Sequence, residues 1–347
     1  MHPFTIATGT MDFAQNIFIR IITDEGLIGV GECSAFPMIV GETQNTCFEM
    51  AKDFALLWKG KNAGDIQGRV NELHSFTAFN STIKSAFEMA LFDLAAKADE
   101  KPLYAFLGGQ KKSLETDLTI GIGSPDKMAA QAVEFVSRGV RILKIKLGKE
   151  PKEDIERVKR IRQAISKDIQ LRVDANQGWD FNGAITVLNG INEFNIQFCE
   201  QPMRSWNDSL LPDLKNLSPI PIMADESVFN HHDAERLLLA NACTYVNIKF
   251  AKSGGILEAT KINQVCEDLN VQCMMGGMLE SRVALTAFAH FALCSPMIEH
   301  YDFDTALMFV EDPVTGGIVY EKNGVVKVPE VTGLGASISE ERLEKMK

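Results

Sequence analysis

The sequence predicts a (β/α)8 barrel carrying an N-terminal α+β capping domain, and three observations predict it. Four charged residues close short β-like runs in the second half of the chain: Asp174, Glu200, Asp225 and Lys249, at steps of 26, 25 and 24 residues. Such a step is the length of one strand, one helix and two loops, and barrels gather their site residues at the C-terminal ends of successive strands. Strand–helix alternation then runs from about Thr116, with strands ending near Ile120, Lys146, Asp174, Glu200, Asp225, Lys249, Gly276 and Asp302. Eight such units indicate a closed parallel barrel. Finally, 347 residues suit a barrel plus a smaller domain.

The elements follow in order. Ile17, Ile19 and Ile21 alternate with Phe18, Arg20 and Ile22, and Asp24-Glu25-Gly26 turns the chain into Leu27–Glu32, a hairpin over residues 16–32. Ser81–Lys97 places Ile83, Ala86, Phe87, Ala90, Leu91, Leu94 and Ala95 on one helical face. Pro102 and Gly108-Gly109 punctuate the chain after it. Helical spacing recurs over 126–138, 151–166, 232–241 and 256–270, between the strands. From Val319 the texture returns to a hairpin and a terminal helix, expected to pack on the cap. The expected division is 1–115 for the capping domain, 116–318 for the barrel and 319–347 for the closing segment. A doubly wound sheet is disfavoured: no G-x-G-x-x-G follows the first strand, and Gly29-x-Gly31 lies in the hairpin. The chain starts at the Pro3-Phe4 loop with no strand before it, so either the capping sheet lacks a first strand or the start is assigned too late.

A formal net charge of −11 without a Lys/Arg-rich block argues against nucleic acid and anionic membranes as partners. No apolar run is long enough to span a bilayer, and Met1–Phe4 has no secretory signature. Seven cysteines without a C-x-x-C pair read as buried thiols in a reducing compartment, so a cytoplasmic location is expected. Cys199 neighbours Glu200 on an alternating strand and therefore points away from it.

Asp174, Glu200 and Asp225 close the third, fourth and fifth strands. A single strand-end carboxylate is commonly a helix cap, but three in register make a set of hard oxygen ligands suited to Mg²⁺. Lys144 and Lys146 share one face at the end of the second strand, and Lys249 ends the sixth strand, opposite. A second ammonium and a bound cation are expected to lower a lysine's pKa toward the neutral, basic form. Two opposed lysines can then remove a proton from one face of a carbon and return it to the other. Asp302 and Asp304 end the eighth strand, expected across the mouth from the metal, where they suit a substrate ammonium. A carboxylate at one end, an acidic C–H between two bases and an ammonium at the other is the layout of a dipeptide.

At these residues the chain resembles the enolase superfamily, muconate lactonizing subgroup, and within it the dipeptide epimerases. The carrying motifs are Lys144-Ile-Lys146, Val173–Trp179, Cys199-Glu200-Gln-Pro202, Ala224–Ser227, Asn247–Gly255, Gly276–Ser281 and Asp302-Phe-Asp304-Thr305. The resemblance implies 1,1-proton transfer at the α-carbon of a dipeptide's C-terminal residue via an enediolate, with one Mg²⁺ per subunit on Asp174, Glu200 and Asp225. That mechanism belongs to the superfamily as a class. It implies Lys146 and Lys249 as acid/base groups, Lys144 as an orienting cation and Asp302 and Asp304 as the ammonium site. Thr119 and Gly277 fall where relatives touch the dipeptide backbone. A muconate-type cycloisomerase, or an o-succinylbenzoate synthase/N-acylamino acid racemase, shares the metal and lysines but not the ammonium. A non-catalytic metal-binding barrel is the alternative of another class, and homo-oligomerisation stays open. His290 and His300 do not occupy the strand ends that acid-sugar lyases use.

Gly9 stands where relatives acting on acidic second residues often carry arginine, and Ala306 replaces a common proline. Pro3–Phe13 and Ala35–Gly41 are expected to cover the mouth with Phe4, Ile6, Phe13, Phe36, Met38, Ile39 and Val40, joined by Met278 and Leu279. Their only charge is Asp12, so small or apolar dipeptides are expected over Ala-Glu.

Overall fold

The computed structural model describes residues 3–345; residues 1, 2, 346 and 347, at the outer edges of the expected capping and closing segments, lie outside the described residues. The chain enters through a small antiparallel hairpin, β1 (Phe4–Ile6) and β2 (Gly9–Met11), where the sequence suggested only a loop. A second hairpin, β3 (Asn16–Ile22) and β4 (Ile28–Ser34), pairs without interruption from Asn16↔Ser34 to Ile22↔Ile28. Gly26 provides the positive φ of 82° that its turn requires. Helices α1 (Pro37–Val40), α2 (Gln44–Trp58), α3 (Ile66–Phe76), α4 (Ser81–Ala98) and α5 (Leu103–Phe106) complete the cap. Gly29 and Gly31 explain the Gly-x-Gly of β4: a Cβ on Gly31 would lie 1.9 Å from the Ala86 carbonyl, and one on Gly29 2.1 Å from that of Ala90. The missing side chains let β4 lie directly on α4. Ile17, Ile19, Phe54 and Phe87 fill the core on that face.

After β5 (Leu114–Glu115) the barrel begins with β6 (Leu118–Ile120), α6 (Pro125–Ser137), β7 (Ile142–Lys146), α7 (Pro151–Ala164), β8 (Gln170–Asp174) and α8 (Phe181–Gly190). It continues with β9 (Ile196–Glu200), α9 (Leu211–Leu217), β10 (Ile222–Ala224), α10 (His231–Leu239), β11 (Tyr245–Ile248), α11 (Phe250–Ser253) and α12 (Ile256–Asp268). It ends with β12 (Cys273–Gly276), α13 (Arg282–Ala292) and β13 (Ile298–Asp302). The eight strands pair in sequence order, all parallel. Side-chain bonds draw β13 and β6 together, Phe303 N–H to Thr116 Oγ1 (2.8 Å) and Thr119 N–H to Asp304 Oδ2 (2.5 Å), so the ring is nearly closed.

Alternation sorts each strand. Leu143, Ile145, Leu171, Val173 and Cys199 face the helices. Below the charged mouth, Arg172, Phe198, Met223, Tyr245, Met274 and His300 fill the interior. The closing segment carries β14 (Val314–Gly316), β15 (Val319–Tyr320), β16 (Val325–Lys327), β17 (Ala336–Ile338) and α14 (Glu340–Lys345). β16 joins β5, and buried Asp93 of α4 accepts from Val30 N–H (2.9 Å) and Leu334 N–H (2.6 Å), tying the cap hairpin, α4 and this segment together.

Candidate active site

Asp174, Glu200 and Asp225 come together at the barrel mouth, each with no exposed surface. Lys144 stands among them rather than beside them. Its Nζ lies 3.2 Å from Asp174 Oδ2, 2.8 Å from Glu200 Oε2 and 2.8 Å from Asp302 Oδ2. Lys146 Nζ donates to Asp174 Oδ2 (2.6 Å) and Lys249 Nζ to Asp225 Oδ2 (2.8 Å). Lys146 and Lys249 sit on β7 and at the end of β11, four strands apart in a ring of eight, hence on opposite sides of the mouth.

The loops beyond the strands hold this set in place. Asn176 N–H donates to Asp174 Oδ1 (2.9 Å), and Asn247 Nδ2 to Glu200 Oε1 (2.8 Å). Gln201 Oε1 accepts from the backbone N–H of Asp225 (2.9 Å) and Ser227 (3.2 Å). Asn176, Gln177 and Gln201 adopt positive φ (40°, 67° and 34°) directly after the two carboxylate strands. Strained backbone of this kind persists only where its surroundings enforce it.

Burial and neighbouring charges oppose one another in setting the protonation here. Burial pushes Asp174 and Asp225 up, but Lys146 and Lys144 around the first, and Lys249 and Lys252 around the second, hold both below the ordinary carboxylate range. Glu200 is pushed up to about 7 by burial and by Asp174, against Lys144. Burial also acts to lower Lys249, yet Asp225 and Glu200 outweigh it and hold the lysine above its ordinary value. The expected lowering of a lysine depends on a bound cation beside it; with Asp225 as its nearest neighbour, Lys249 is held toward the ammonium form.

At the other end of the mouth, Asp302 and Asp304 are joined by Asp117, and carboxylate oxygens of the three lie within 4.8 Å of one another. One oxygen of each is engaged: Asp302 Oδ2 by Lys144 (2.8 Å), Asp304 Oδ2 by Thr119 N–H (2.5 Å), Asp117 Oδ2 by Arg172 (2.8 Å). The three Oδ1 atoms are buried without a hydrogen-bond partner. Buried oxygens of this kind call for a donor; burial and the neighbouring Asp302 push Asp304 well above the ordinary carboxylate range, so the cluster resists full negative charge on its own and favours a cationic donor. The Asp pair is not separated from the carboxylate triad as expected, since Lys144 bridges Asp302 to Asp174 and Glu200. Thr119 is brought to Asp304; Gly277 lies beside Glu280 and the Asp302 carbonyl.

Sequence reasoning missed Asp117 and Lys252. Asp117 lies two residues before Thr119, so strand alternation alone could have turned it inward. Lys252 follows Lys249 by one helical turn, and its Nζ approaches Asp225 Oδ1 (2.6 Å) and bonds the carbonyls of Asp225 and Asn247.

The donor set fits a hard divalent cation. Asp174, Glu200 and Asp225 offer oxygens only, and Glu200 Oε2 and Asp225 Oδ1 touch lysine charges without making a hydrogen bond, which leaves lone pairs free. Among the described residues, the three-oxygen cluster within 4.8 Å is Asp117–Asp302–Asp304, while lysine ammoniums stand between the oxygens of Asp174, Glu200 and Asp225. Over the mouth, Ile6, Phe36, Ala251, Met278 and Leu279 form a small buried cluster with Phe4, Ile39 and Val40 against it. Phe13 is not part of this cover, being 64% exposed.

An α+β cap over a barrel mouth lined by buried carboxylates and opposed lysines defines an acid/base enzyme of the barrel class. The chain belongs to the enolase superfamily: residues 1–108 match the mandelate racemase/muconate lactonizing enzyme N-terminal domain, and residues 127–342 the enolase C-terminal domain-like family. It is 45% identical over 342 residues to the D-Ala-D/L-Ala epimerase of Cytophaga hutchinsonii, covering 98% of this chain and 93% of that protein. It is 38% identical to the L-Ala-D/L-Glu epimerase of Clostridium acetobutylicum, covering 96% and 94%. The crystal structure of the Cytophaga hutchinsonii dipeptide epimerase with Mg and D-Ala-L-Val superposes with a TM-score of 0.98 over 99% of this chain and 94% of that one. That of the Enterococcus faecalis V583 enzyme with Mg and L-Leu-L-Tyr, 38% identical, gives 0.94 over 96% and 95%.

Proposed function

We propose that this chain is a Mg²⁺-dependent dipeptide epimerase that inverts the α-carbon of the C-terminal residue, with small or apolar dipeptides as substrates. Asp174, Glu200 and Asp225 hold one Mg²⁺ in this reading. The ion, when bound, neutralises charge developing on the substrate carboxylate as the α-proton leaves. An α-carbon lying between Lys146 and Lys249 presents one face to each. The neutral amine takes the proton, and the ammonium on the opposite side returns one. Lys249 Nζ lies 2.8 Å from Asp225 Oδ2, a pairing that favours its protonated, donating form. Asp302 and Asp304 receive the α-ammonium, with Asp117, paired with Arg172, behind them.

The observation that carries this reading is the set of three unpartnered, buried carboxylate oxygens on Asp117, Asp302 and Asp304. A cycloisomerase or acylamino acid substrate lacks an ammonium and would leave all three desolvated and unpaired, at a cost of about 1–3 kcal/mol each or more. Seven free cysteines support a reducing, cytoplasmic setting, and among the described residues no helix is long and apolar enough to cross a membrane. Incubation with L-Ala-L-Ala and Mg²⁺ in D₂O tests the proposal. The expected result is one deuterium and a D-configured second residue in the product, abolished by exhaustive chelation. Absence of exchange and of epimerisation across a library of small apolar dipeptides refutes it.

A further inference from the structure

Asp304 and Thr119 also close the inner end of a cavity of about 490 Å³ that runs outward between α6 and the turn Thr305–Met308. Its walls are apolar near the mouth, with Phe4, Ile122, Met128, Phe135 and Met308, and Lys127, Glu134 and Arg138 stand toward the solvent end. The roof is fastened to the barrel. Ile122 N–H donates to the Thr5 carbonyl (2.8 Å), and Lys149 Nζ donates to that of Ala7 (2.7 Å). Gly121 permits the close approach: a Cβ there would meet Phe4 Cδ2 at 3.1 Å and the Thr5 carbonyl at 3.3 Å.

The ammonium and the side chain of an amino acid leave the same carbon. An N-terminal residue whose ammonium rests on Asp304 therefore has its side chain within a bond or two of this opening. We propose that the cavity receives the side chain of the dipeptide's first residue, and that the enzyme accepts large apolar first residues such as Leu, Met or Phe. The size is that of a small-molecule pocket, commonly about 300–1,000 Å³, and far exceeds what an alanine methyl fills. The inference rests on the reading that Asp302 and Asp304 take the ammonium. The cavity shares Phe4 and Met308 with the Ile6, Phe36, Met278 and Leu279 cover, but most of its remaining lining comes from β6, α6 and the loop between them.

The test compares kcat/KM, with Mg²⁺ present, for L-Ala-L-Ala, L-Leu-L-Ala and L-Phe-L-Ala. It uses the native chain and two variants that fill the cavity from opposite walls, Gln131→Trp on α6 and Leu307→Trp. The native enzyme should turn over the Leu and Phe substrates at least as efficiently as Ala-Ala. Each folded variant should lower the Leu-Ala to Ala-Ala ratio by about ten-fold or more, the discrimination available to an apolar pocket. Turnover of Ala-Ala with rejection of large first residues overturns the inference and leaves the epimerase reading standing. An unchanged ratio in both folded variants also overturns it, by moving the side chain elsewhere. Failure on every dipeptide removes the function and the inference together.

Discussion

Glu200 differs from the aspartates on either side of it: burial and Asp174 push it up to about 7, while lysines hold those two low. A divalent cation would compete for it on favourable terms. Glu200→Gln keeps the acceptor facing Asn247 and removes the charge, so the fold should survive. Turnover should fall by roughly two orders of magnitude or more, as when transition-state charge loses a partner, and Mg²⁺ should no longer raise the melting temperature. A retained Mg²⁺-dependent shift would move the ion to other ligands. The two lysines allow a sharper test. Lys249→Ala should abolish epimerisation yet still exchange the α-proton of one stereoisomer with D₂O, while Lys146→Ala does so for the other. Equal residual exchange from both stereoisomers in either variant contradicts the two-face assignment. Asp225 stays paired with Lys252 after the Lys249 substitution, so the loss is not expected to come from an abandoned charge.

Among the elements, the seam between α4 and its neighbours carries two measurable consequences. Glu88 of α4 accepts from Leu257 N–H (2.6 Å) at the start of α12, and burial pushes it up to about 8. The folded protein thus binds this proton more tightly than the unfolded chain does. Its contribution to stability is complete below the ordinary value of 4.5 and is lost as pH rises through about 8. Glu88→Gln should therefore flatten the fall of the melting temperature between about pH 4.5 and 8; an unchanged pH profile would show that the carboxylate is already ionised in the fold. On the other face, Gly31→Ala drives a Cβ into the Ala86 carbonyl. Overpacking of this kind costs about 1–3 kcal/mol, more where backbone must move. Denaturant unfolding should show that loss, and a stability equal to the native chain would mean β4 can lift from α4 freely.

The molecule as a whole is one barrel with its mouth roofed by the first hairpin and the Ala35–Gly41 segment. That roof is apolar, and the cation approaching it comes from outside: Lys149, beyond the second barrel strand, bonds the Ala7 carbonyl. With Lys149 so engaged, a carboxylate on the second side chain meets no free cation among the described residues of the cover, and burying it unpaired is unfavourable. L-Ala-L-Leu should show a kcat/KM well above that of L-Ala-L-Glu. The reverse order would mean that Lys149 swings from Ala7 to the substrate, and Lys149→Met would then abolish the preference.

Period-2 alternation and the 24- to 26-residue step were enough to place Asp174, Glu200, Asp225, Lys144, Lys146 and Lys249 on inward faces at strand ends, because both signals are local to the chain. The long amphipathic helices were legible for the same reason. Helix α13 was less so: it is buried from Val283 to Ala292 and has no solvent stripe to mark it. What sits next to what was decided elsewhere. Whether Asp302 stands apart from the carboxylate triad or is bridged to it by Lys144 depends on barrel closure and strand stagger, which no single segment encodes. The third carboxylate, Asp117, belongs to the cluster only because β13 curls back to β6. The hairpin over the mouth packs closely on the barrel at Gly121, where a Cβ would meet Phe4 at 3.1 Å, a contact between segments far apart in the chain. Sequence alone determined which chemical groups face the barrel interior; tertiary closure decided their pairings, since charge–charge energies depend on distances of a few ångströms between segments far apart in the chain.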